Sequence, residues 1–123
     1  INIPINDIIF SNAVFQHLDR KQLMHVMAFC KMSSNNQTIH SHQIRFTDHI
    51  TGSNQLFEHY KVPKYIWESK VLKKFPFWTN RINLNEFKEI FYSFGLKDLN
   101  FEKVDKKNLI VNYHFVLKEC QKK

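Results

Sequence analysis

The sequence contains little glycine, proline or cysteine. Its two glycines and three prolines leave most tight turns to asparagine, aspartate and serine, which tolerate left-handed backbone better than other residues do. The two cysteines, Cys30 and Cys120, have neither metal-ligand nor disulfide spacing, which excludes a disulfide-stapled scaffold. Because lone thiols suit a reducing compartment, we expect a cytoplasmic protein.

Long hydrophobic runs are also absent. No apolar run approaches the ~18 residues that a membrane-spanning helix needs, and no signal-peptide pattern is visible, so we expect a soluble chain without a membrane partner. What the sequence does contain is 43% hydrophobic and 15% aromatic residues, among them 12 phenylalanines. This composition predicts a packed core and a single domain over residues 1–123.

Positive charge exceeds negative charge, and the net charge is +7. Such an excess permits a nucleic acid or an anionic surface as partner. The lysines are spread along the chain, however, and dispersed lysines more often solvate a surface than bind phosphate. Nucleic acid is therefore the less favoured partner.

Periodicity in the first half predicts a strand, a helix and a second strand. Residues 8–10 (IIF) form an apolar run that is typical of a strand buried on both faces. Asp19, with Gln22 three residues later, predicts a capping box for an amphipathic helix that ends near Met32. After the turn SSNN, residues 37–46 alternate as a strand does. This order predicts a βαβ crossover with two parallel strands.

The second half predicts a short helix within residues 65–74, then a longer helix capped by Asn85 and ended by Gly95. Two strands follow around a turn at residues 105–107, which favours an antiparallel hairpin. The longer helix has an apolar face at helical spacing, formed by Phe87, Ile90, Phe91 and Phe94. The predicted fold class is therefore α/β, with parallel strands that end in an antiparallel hairpin.

Three stretches of the chain resemble one protein family. DIIFSNAVFQHLD, residues 7–19, resembles the fourth strand and following turn of class I S-adenosylmethionine-dependent methyltransferases, where a D-x-I-x-S-N-A-x-x-x-H pattern recurs. SHQIRFTDH, residues 41–49, resembles the fifth strand of members acting on sugars and other small polar acceptors. Residues 75–96 resemble the segment leading into the last helix, and the hairpin resembles the sixth and seventh strands. The resemblance implies the C-terminal half of a Rossmann-like methyltransferase sheet.

The same resemblance shows what the chain lacks. The family's first half carries a glycine-rich turn that lets backbone approach the cofactor, and an acidic residue that binds the ribose. Neither is present, since the only glycines are Gly52 and Gly95. The resemblance thus implies a C-terminal portion without the N-terminal cofactor-binding motif. We expect this chain alone to bind S-adenosylmethionine weakly or not at all.

The resemblance implies a site at the end of the first strand. Ser11, Asn12 and Ala13 would line the methionine end of S-adenosylmethionine and the acceptor, at the edge where open α/β sheets bind ligands. Their alternative role is a plain strand-to-helix turn. His17 would act as general base for the acceptor hydroxyl, and its alternative role is packing beside the start of the helix.

Four further residues are candidate site residues, and the first two would face the same cleft. Asp48 and His49 follow the next strand, and as catalytic groups they would orient the acceptor or assist the base; Asp48 could instead cap a loop. Trp78 would stack on a sugar-like acceptor, and Arg81 would pair with an anionic acceptor group. Packing on the core and an ordinary salt bridge are the alternatives for these last two residues.

His40 and His42 lie two residues apart on a predicted strand, so their side chains share one face. A metal site needs a convergent third ligand and supporting contacts. The sequence indicates neither, and we therefore predict no metal.

The predicted function is methyl transfer from S-adenosylmethionine to an oxygen or nitrogen of a small-molecule or sugar-like acceptor, which needs proximity, alignment and a base. Two alternatives stay open. One is a non-catalytic remnant or module that binds a partner through an open sheet edge, and the other is a small basic nucleic-acid-binding protein. The expected protein partner is an N-terminal half of the same enzyme or a second copy of the chain.

Overall fold

A four-stranded mixed sheet organises the chain. In the computed structural model, which describes residues 2–46, 58–103 and 112–119, the sheet has the spatial order β1-β2-β4-β3. Its strands are β1 (Ile8–Asn12), β2 (Ile39–Arg45), β3 (Leu96–Lys103) and β4 (Asn112–Glu119). β1 is parallel to β2, whereas β4 is antiparallel to both of its neighbours. The predicted parallel pair and the antiparallel final strands are confirmed, while the turn predicted at residues 105–107 lies outside the described residues.

Among the described residues, three α-helices accompany the sheet: α1 (Arg20–Met32), α2 (Lys64–Trp67) and α3 (Leu84–Ser93). Short 3-10 turns are formed by Phe15–His17, Glu58–Lys61 and Leu72–Lys74. None of the helices among the described residues has the length and hydrophobicity needed to cross a membrane. The short helix predicted within residues 65–74 is thus divided into α2 and a 3-10 turn.

The start of α1 is fixed by the predicted capping box. The Gln22 backbone N–H donates to the Asp19 carboxylate at 2.8 Å, and the Asp19 N–H donates to the Gln22 side-chain oxygen at 2.9 Å. These reciprocal bonds satisfy backbone donors that no helix can pair internally. The helix therefore begins and ends where the sequence predicts.

The predicted cap of α3 is wrong by two residues. Asn83, not Asn85, caps the helix: the Glu86 N–H donates to the Asn83 side-chain oxygen, and the Asn83 N–H donates to the Glu86 carboxylate, as in α1. Glu86 lies three residues after Asn83 and can return the hydrogen bond, whereas the residue three after Asn85 is a lysine, which carries no acceptor. The predicted end is confirmed, because Gly95 follows the helix with a φ of +77°.

The hydrophobic core lies between one face of the sheet and the helices α1 and α3. Alternate residues of β2 point into it. The side chains at its centre come from the helices, from β2 to β4 and from the loops at their ends: Phe15, Leu23, Met27, Ile44, Ile82, Phe87, Ile90, Phe91, Leu96, Phe115 and Leu117. An ion pair between Lys31 of α1 and Glu119 of β4 ties the helix to the sheet.

The prediction that β1 is buried on both faces is wrong. Ile8 is 63% exposed and Phe10 is 76% exposed, while Ile9 and Ser11 on the other face are only half-buried. Within the described part of the chain β1 pairs with β2 alone, so it is an edge strand. A three-residue apolar run does not by itself distinguish an edge strand from a covered one, because both bear the same residues.

Candidate active site

The backbone is strained where β1 ends. Ala13 has a φ of +55°, in the left-handed region that residues with a Cβ seldom adopt. Its N–H donates to the Gln43 carbonyl of β2 at 2.9 Å, so the pairing with β2 continues one residue beyond the strand. A conformation of this kind costs roughly 1–3 kcal/mol and concentrates at functional sites. Strain therefore marks the carboxyl end of β1 as a candidate site.

The three residues predicted to line the cofactor differ in their surroundings. Asn12 and Ala13 are exposed, but the Ser11 hydroxyl lies 2.8 Å from Nδ1 of His42. Burial, followed by the charges of His40 and His114, lowers the pKa of His42 to about 3. The Ser11 hydroxyl is consequently engaged with a neutral imidazole on the core side of the sheet.

A backbone group orients the ring of His17. Its Nδ1 lies 2.8 Å from the Trp78 carbonyl oxygen. A carbonyl can only accept a hydrogen bond, so Nδ1 carries the proton, and in the neutral ring the lone pair belongs to Nε2. This is the tautomer in which a fixed imidazole accepts a proton through Nε2.

Trp78 is locked into a pair with Trp67. The Trp78 indole N–H donates to the Trp67 carbonyl and the Trp67 indole N–H donates to the Thr79 carbonyl, both at 2.7 Å. The two rings stack at 6.3 Å, and Trp78 is only 4% exposed. The observed contribution of Trp78 is thus to fix the loop whose carbonyl orients His17.

Arg81 is embedded in a similar set of contacts. Its guanidinium donates to the Val62 carbonyl at 2.5 Å and lies over the rings of Tyr60 and Trp67, at 5.2 and 5.5 Å from their centroids. Stacking of this kind suits the planar guanidinium better than an ammonium. Arg81 therefore joins the segment before α2 to the loop after it.

Asp48 and His49 lie outside the described residues. The predicted grouping of these two side chains with His17 therefore stays a prediction.

A cavity of about 220 Å³ lies at the same edge of the sheet. Gln16, from the turn after β1, lines it together with Arg45 and Phe46 at the end of β2. Further walls come from the loops and from α3 and β4: Tyr60, Ile82, Phe87 and Tyr113. Because both parallel strands end here, the cavity occupies the position where open α/β sheets bind ligands.

Sequence reasoning missed Gln16. Its side chain is buried, and neither its amide oxygen nor its amide nitrogen has a hydrogen-bond partner among the described residues. Its backbone is fixed, since its carbonyl accepts from the Asn80 N–H at 2.7 Å. The position beside the predicted base was a signal, but a buried amide without a partner becomes visible only in three dimensions.

The histidines of β2 face the core. His42 stacks on Phe91 at 5.9 Å, and His40 and His42 are each 1% exposed. The described residues contain no group of three histidine, cysteine, aspartate or glutamate side chains placed to hold a metal ion. Burial also lowers the pKa of His40, so both rings are neutral at neutral pH.

A second, larger groove of about 700 Å³ lies beside the start of α1. Its basic residues have acidic neighbours: Lys73 lies 3.5 Å from the Asp19 carboxylate, and Arg20 lies 3.5 Å from Glu86. The groove therefore presents charges of both signs, rather than the uniformly basic surface that tracks a nucleic-acid backbone.

Comparison with known proteins identifies the fold. No protein-family model and no curated protein matches the sequence. Among solved structures, the chain is similar to one described as a pericyclic reaction enzyme, with a TM-score of 0.62 and 8% sequence identity. It is also similar to LepI in complex with SAM (S-adenosylmethionine), and to a LepI variant in complex with SAH (S-adenosylhomocysteine) and a substrate analogue, each with a TM-score of 0.61 and 8% identity.

Each of these matches covers 95% of this chain and 27% of the other. The chain thus spans about a quarter of the length of these structures. At such low identity the likeness is one of fold, and the chain shares the fold of part of enzymes that were solved with S-adenosylmethionine or its demethylated product.

Proposed function

We propose that this chain is the C-terminal part of a Rossmann-like, S-adenosylmethionine-dependent methyltransferase domain. The sheet order, with a parallel pair next to an antiparallel pair, supports the assignment, as does the fold shared with LepI in complex with SAM. The acceptor is a small molecule whose oxygen or nitrogen receives the methyl group.

The turn after β1 fits the methionine end of the cofactor. Asn12 and Ala13 are exposed at the carboxyl end of a parallel strand, where the strained Ala13 backbone departs from the sheet. When bound, the cofactor supplies an electrophilic methyl group. Ser11 supports this turn through its contact with His42, and Asn12 offers an exposed amide for polar contacts.

His17 is the proposed general base, and the observation that carries this role is its hydrogen bond to the Trp78 carbonyl. That bond places the proton on Nδ1, so Nε2 takes the proton from the acceptor hydroxyl or amine as the methyl group is transferred. Trp78 acts here as a positioning residue. Asp48 and His49 are proposed to complete the acceptor side, and Arg81 to hold an anionic part of the acceptor.

The test uses the full-length protein that carries this chain. His17→Ala should lower turnover, measured as S-adenosylhomocysteine formation, by about a hundredfold or more, while the affinity for S-adenosylmethionine stays nearly unchanged. His25→Ala, on the exposed face of α1, is the matched control and should leave turnover unaltered. Unaltered turnover in the His17→Ala protein would make the histidine structural.

The formation of S-adenosylhomocysteine also distinguishes methyl transfer from other chemistry on this fold. One similar structure is described as a pericyclic reaction enzyme. Substrate conversion without formation of S-adenosylhomocysteine would contradict methyl transfer, but it would be compatible with binding of S-adenosylmethionine. We further expect the isolated 123-residue chain to show no micromolar affinity for S-adenosylmethionine in calorimetric titration, because it lacks the glycine-rich turn and the ribose-binding carboxylate.

A partner-binding module is the second candidate function, and the two edge strands of the sheet favour it. β3 has a register shift between Asp98 and Asn100, a feature that protects an edge from pairing. β1 has an uninterrupted register and the exposed side chains of Ile8 and Phe10. We propose that a strand of an N-terminal half of the same domain pairs with β1, and a second copy of the chain is the outcome that would contradict this choice.

Nucleic-acid binding is the least favoured function. The lysines around the larger groove share it with Asp19, Glu68 and Glu86. We expect the protein to be retained only weakly on immobilised DNA or RNA, and this retention should not depend on salt concentration.

A further inference from the structure

A serine, a histidine and a carboxylate meet on the outer face of the sheet, the face that points away from the core. The Ser41 hydroxyl lies 2.8 Å from Nε2 of His114, and Nδ1 of the same ring lies 3.8 Å from a carboxylate oxygen of Glu102. The three residues belong to β2, β4 and β3, which are neighbours in the sheet. A nucleophile beside a base, with a third group that orients the base, is the signature of nucleophilic catalysis.

The register of the strands brings these side chains together. Glu102 lies directly opposite His114 across β3 and β4, and Ser41 is two residues from the partner of His114 on β2. Alternate residues of a strand share one face. The buried residues of β2 alternate with Ser41, so the three side chains lie together on the outer face.

The carboxylate determines which nitrogen of His114 acts as the base. A carboxylate only accepts hydrogen bonds, so Glu102 favours the proton on Nδ1 of the neighbouring ring. Nε2 then carries the lone pair, and the Ser41 hydroxyl donates to it. This is the protonation state in which an imidazole removes the proton of a serine hydroxyl.

Among the described residues Ser11 also lies 2.8 Å from a histidine, but its surroundings differ. The partner of Ser11 is His42, which is 1% exposed, and burial lowers the pKa of His42 to about 3. A base with so low a pKa holds a proton poorly at neutral pH. The side chains of His114 and Glu102 are 29% and 59% exposed, so water and a substrate reach the outer pair.

Apolar side chains flank the Ser41 hydroxyl. Phe10 lies directly opposite Ser41 on β1, and Val116 lies directly opposite it on β4. Phe10 is exposed, as is Ile8, which lies two residues along the same face. An acyl group of a few carbons would contact these side chains and remove apolar surface from water. The surroundings therefore suit the ester of a short apolar acid.

Negative charge that develops on the carbonyl oxygen of an ester needs a hydrogen-bond donor. Gln43 lies on the outer face, two residues after Ser41 and directly opposite His114. Its carboxamide carries two N–H donors, and side-chain amides stabilise such oxyanions in other enzymes. Gln43 is thus placed beside the serine to supply this donor.

We propose that Ser41 is the nucleophile of a second activity, the hydrolysis of esters of short apolar acids, with His114 as general base and Glu102 as positioning residue. Oγ of Ser41 attacks the carbonyl carbon and forms an O–C bond, while Nε2 of His114 takes the hydroxyl proton. The bond from this carbon to the alcohol oxygen then breaks, and His114 gives the proton to the departing alcohol. Water attacks the acyl-serine in the same way, which releases the acid and restores the Ser41 hydroxyl. This activity does not depend on S-adenosylmethionine.

A fluorophosphonate probe tests the nucleophile in the full-length protein that carries this chain. The serine oxygen bonds to phosphorus and fluoride leaves, and mass spectrometry of the digested protein locates the label. We expect the label on Ser41, and His114→Ala should slow labelling about a hundredfold or more. His25→Ala, at an exposed position of α1, is the matched control and should be labelled at the unaltered rate. No label, or a label on other residues only, would overturn the proposal.

Hydrolysis of p-nitrophenyl butyrate measures the complete reaction. Ser41→Ala should lower the rate about a hundredfold or more, whereas Ser93→Ala, at an exposed serine of α3, should leave it unaltered. Equal rates in the Ser41→Ala and unaltered proteins would overturn the proposal. Should Ser41→Ala not fold, the position of the phosphonate label on the unaltered protein still decides.

The acyl group tests the substrate class. p-Nitrophenyl acetate should react roughly tenfold more slowly than the butyrate, because it lacks two methylene groups that would contact Phe10. Acetate that reacts as fast as butyrate would overturn the preference for an apolar acyl group.

Two further variants test the residues around the serine and the histidine. Glu102→Gln should lower kcat about tenfold and leave KM nearly unchanged, because Glu102 contacts the imidazole and not the ester. Gln43→Leu should lower kcat about a hundredfold through the loss of the oxyanion donor. Glu89→Gln, at an exposed position of α3, is the matched control for Glu102→Gln. An unaltered kcat in Glu102→Gln or in Gln43→Leu would overturn the role proposed for that residue.

Discussion

The two parallel strands reverse the usual relation between polarity and burial. β2 carries two histidines, each 1% exposed, whereas β1 carries Ile8 and Phe10, which are 63% and 76% exposed. The difference follows from position, because β2 lies between β1 and β4 and β1 lies at the edge. Buried imidazoles are tolerated as neutral rings, while the exposed apolar side chains of the edge strand are the basis of the partner proposed for β1.

The largest expected effect on stability comes from acidification, because it protonates a buried histidine of β2. Burial lowers the pKa of His42 to about 3, well below the ~6.5 of an unfolded histidine. Its contribution to stability is therefore fully present above about pH 6.5 and is lost as the pH falls toward 3. The loss is at most on the order of 5 kcal/mol for this group.

Urea unfolding of the unaltered protein and of His42→Phe between pH 7 and pH 3 measures this effect. The variant should lose less stability on acidification, because it has one buried imidazole fewer to protonate, with His40 remaining. His25→Phe, at an exposed position of α1, should keep the full pH dependence. Equal acid sensitivity in the His42→Phe protein would assign the effect to other groups.

Truncating His42 at neutral pH should have the next largest effect. Its ring lies 4.5 Å from that of Phe15 and stacks on Phe91, so His42→Ala leaves a cavity and should reduce the free energy of unfolding by about 3 kcal/mol. His25→Ala should change it by less than about 0.5 kcal/mol. Similar values for the two variants would show that β2 is not part of the core.

A glycine substitution at the end of β1 should have a smaller effect, and it should increase the free energy of unfolding. Ala13→Gly relieves the left-handed strain at φ +55° and should stabilise the protein by about 0.5–1 kcal/mol. Ala28→Gly, in the regular helix α1, should destabilise it by about 1 kcal/mol. Thermal unfolding of both variants measures this difference in stability. A loss of stability in both would show that the Ala13 backbone is not strained.

The smallest effect on stability is expected at the sheet edge. Phe10→Glu should change the free energy of unfolding by less than about 0.5 kcal/mol, because the side chain is already exposed. The same change should weaken pairing with an N-terminal half, measured by size exclusion with light scattering. Leu99→Glu, at a 51% exposed position of the opposite edge strand β3, should leave assembly unchanged; assembly lost equally in both variants would remove β1 as the docking edge.

Local chemistry made part of the fold predictable. The capping residues Asp19 and Gln22 and the helix-ending Gly95 act through neighbours a few residues away, and the structure agrees with the prediction at each of them. The parallel pairing of β1 with β2 was predictable because a strand, helix and strand in this order connect in one way. The prediction of Asn85 as the cap of α3 is wrong because the hydrogen bond is returned by Glu86, which lies three residues after Asn83.

Burial and the cavity could not be read from local patterns. The exposure of β1 depends on which strand lies beside it, and an apolar run has the same sequence in either case. Gln16 became a candidate only in three dimensions, because its buried amide has no hydrogen-bond partner in the part of the chain that the structure describes. Of the predicted site, the structure brings Ser11 to Ala13 and His17 to the carboxyl edge of the sheet, whereas Trp78 contributes there through its backbone carbonyl.

The bonds that hold the turn after β1 also determine when the site can form during folding. His17 contacts Trp78 across 61 residues, and the Asn80 side chain donates to the Phe15 and Leu18 carbonyls across 65 and 62 residues. The chain loses entropy when it closes so large a loop, and it does so before these contacts contribute any stability. They therefore form more slowly than local structure does. The turn that carries His17 therefore acquires its geometry late, so a chain that has folded only its helices lacks the candidate site.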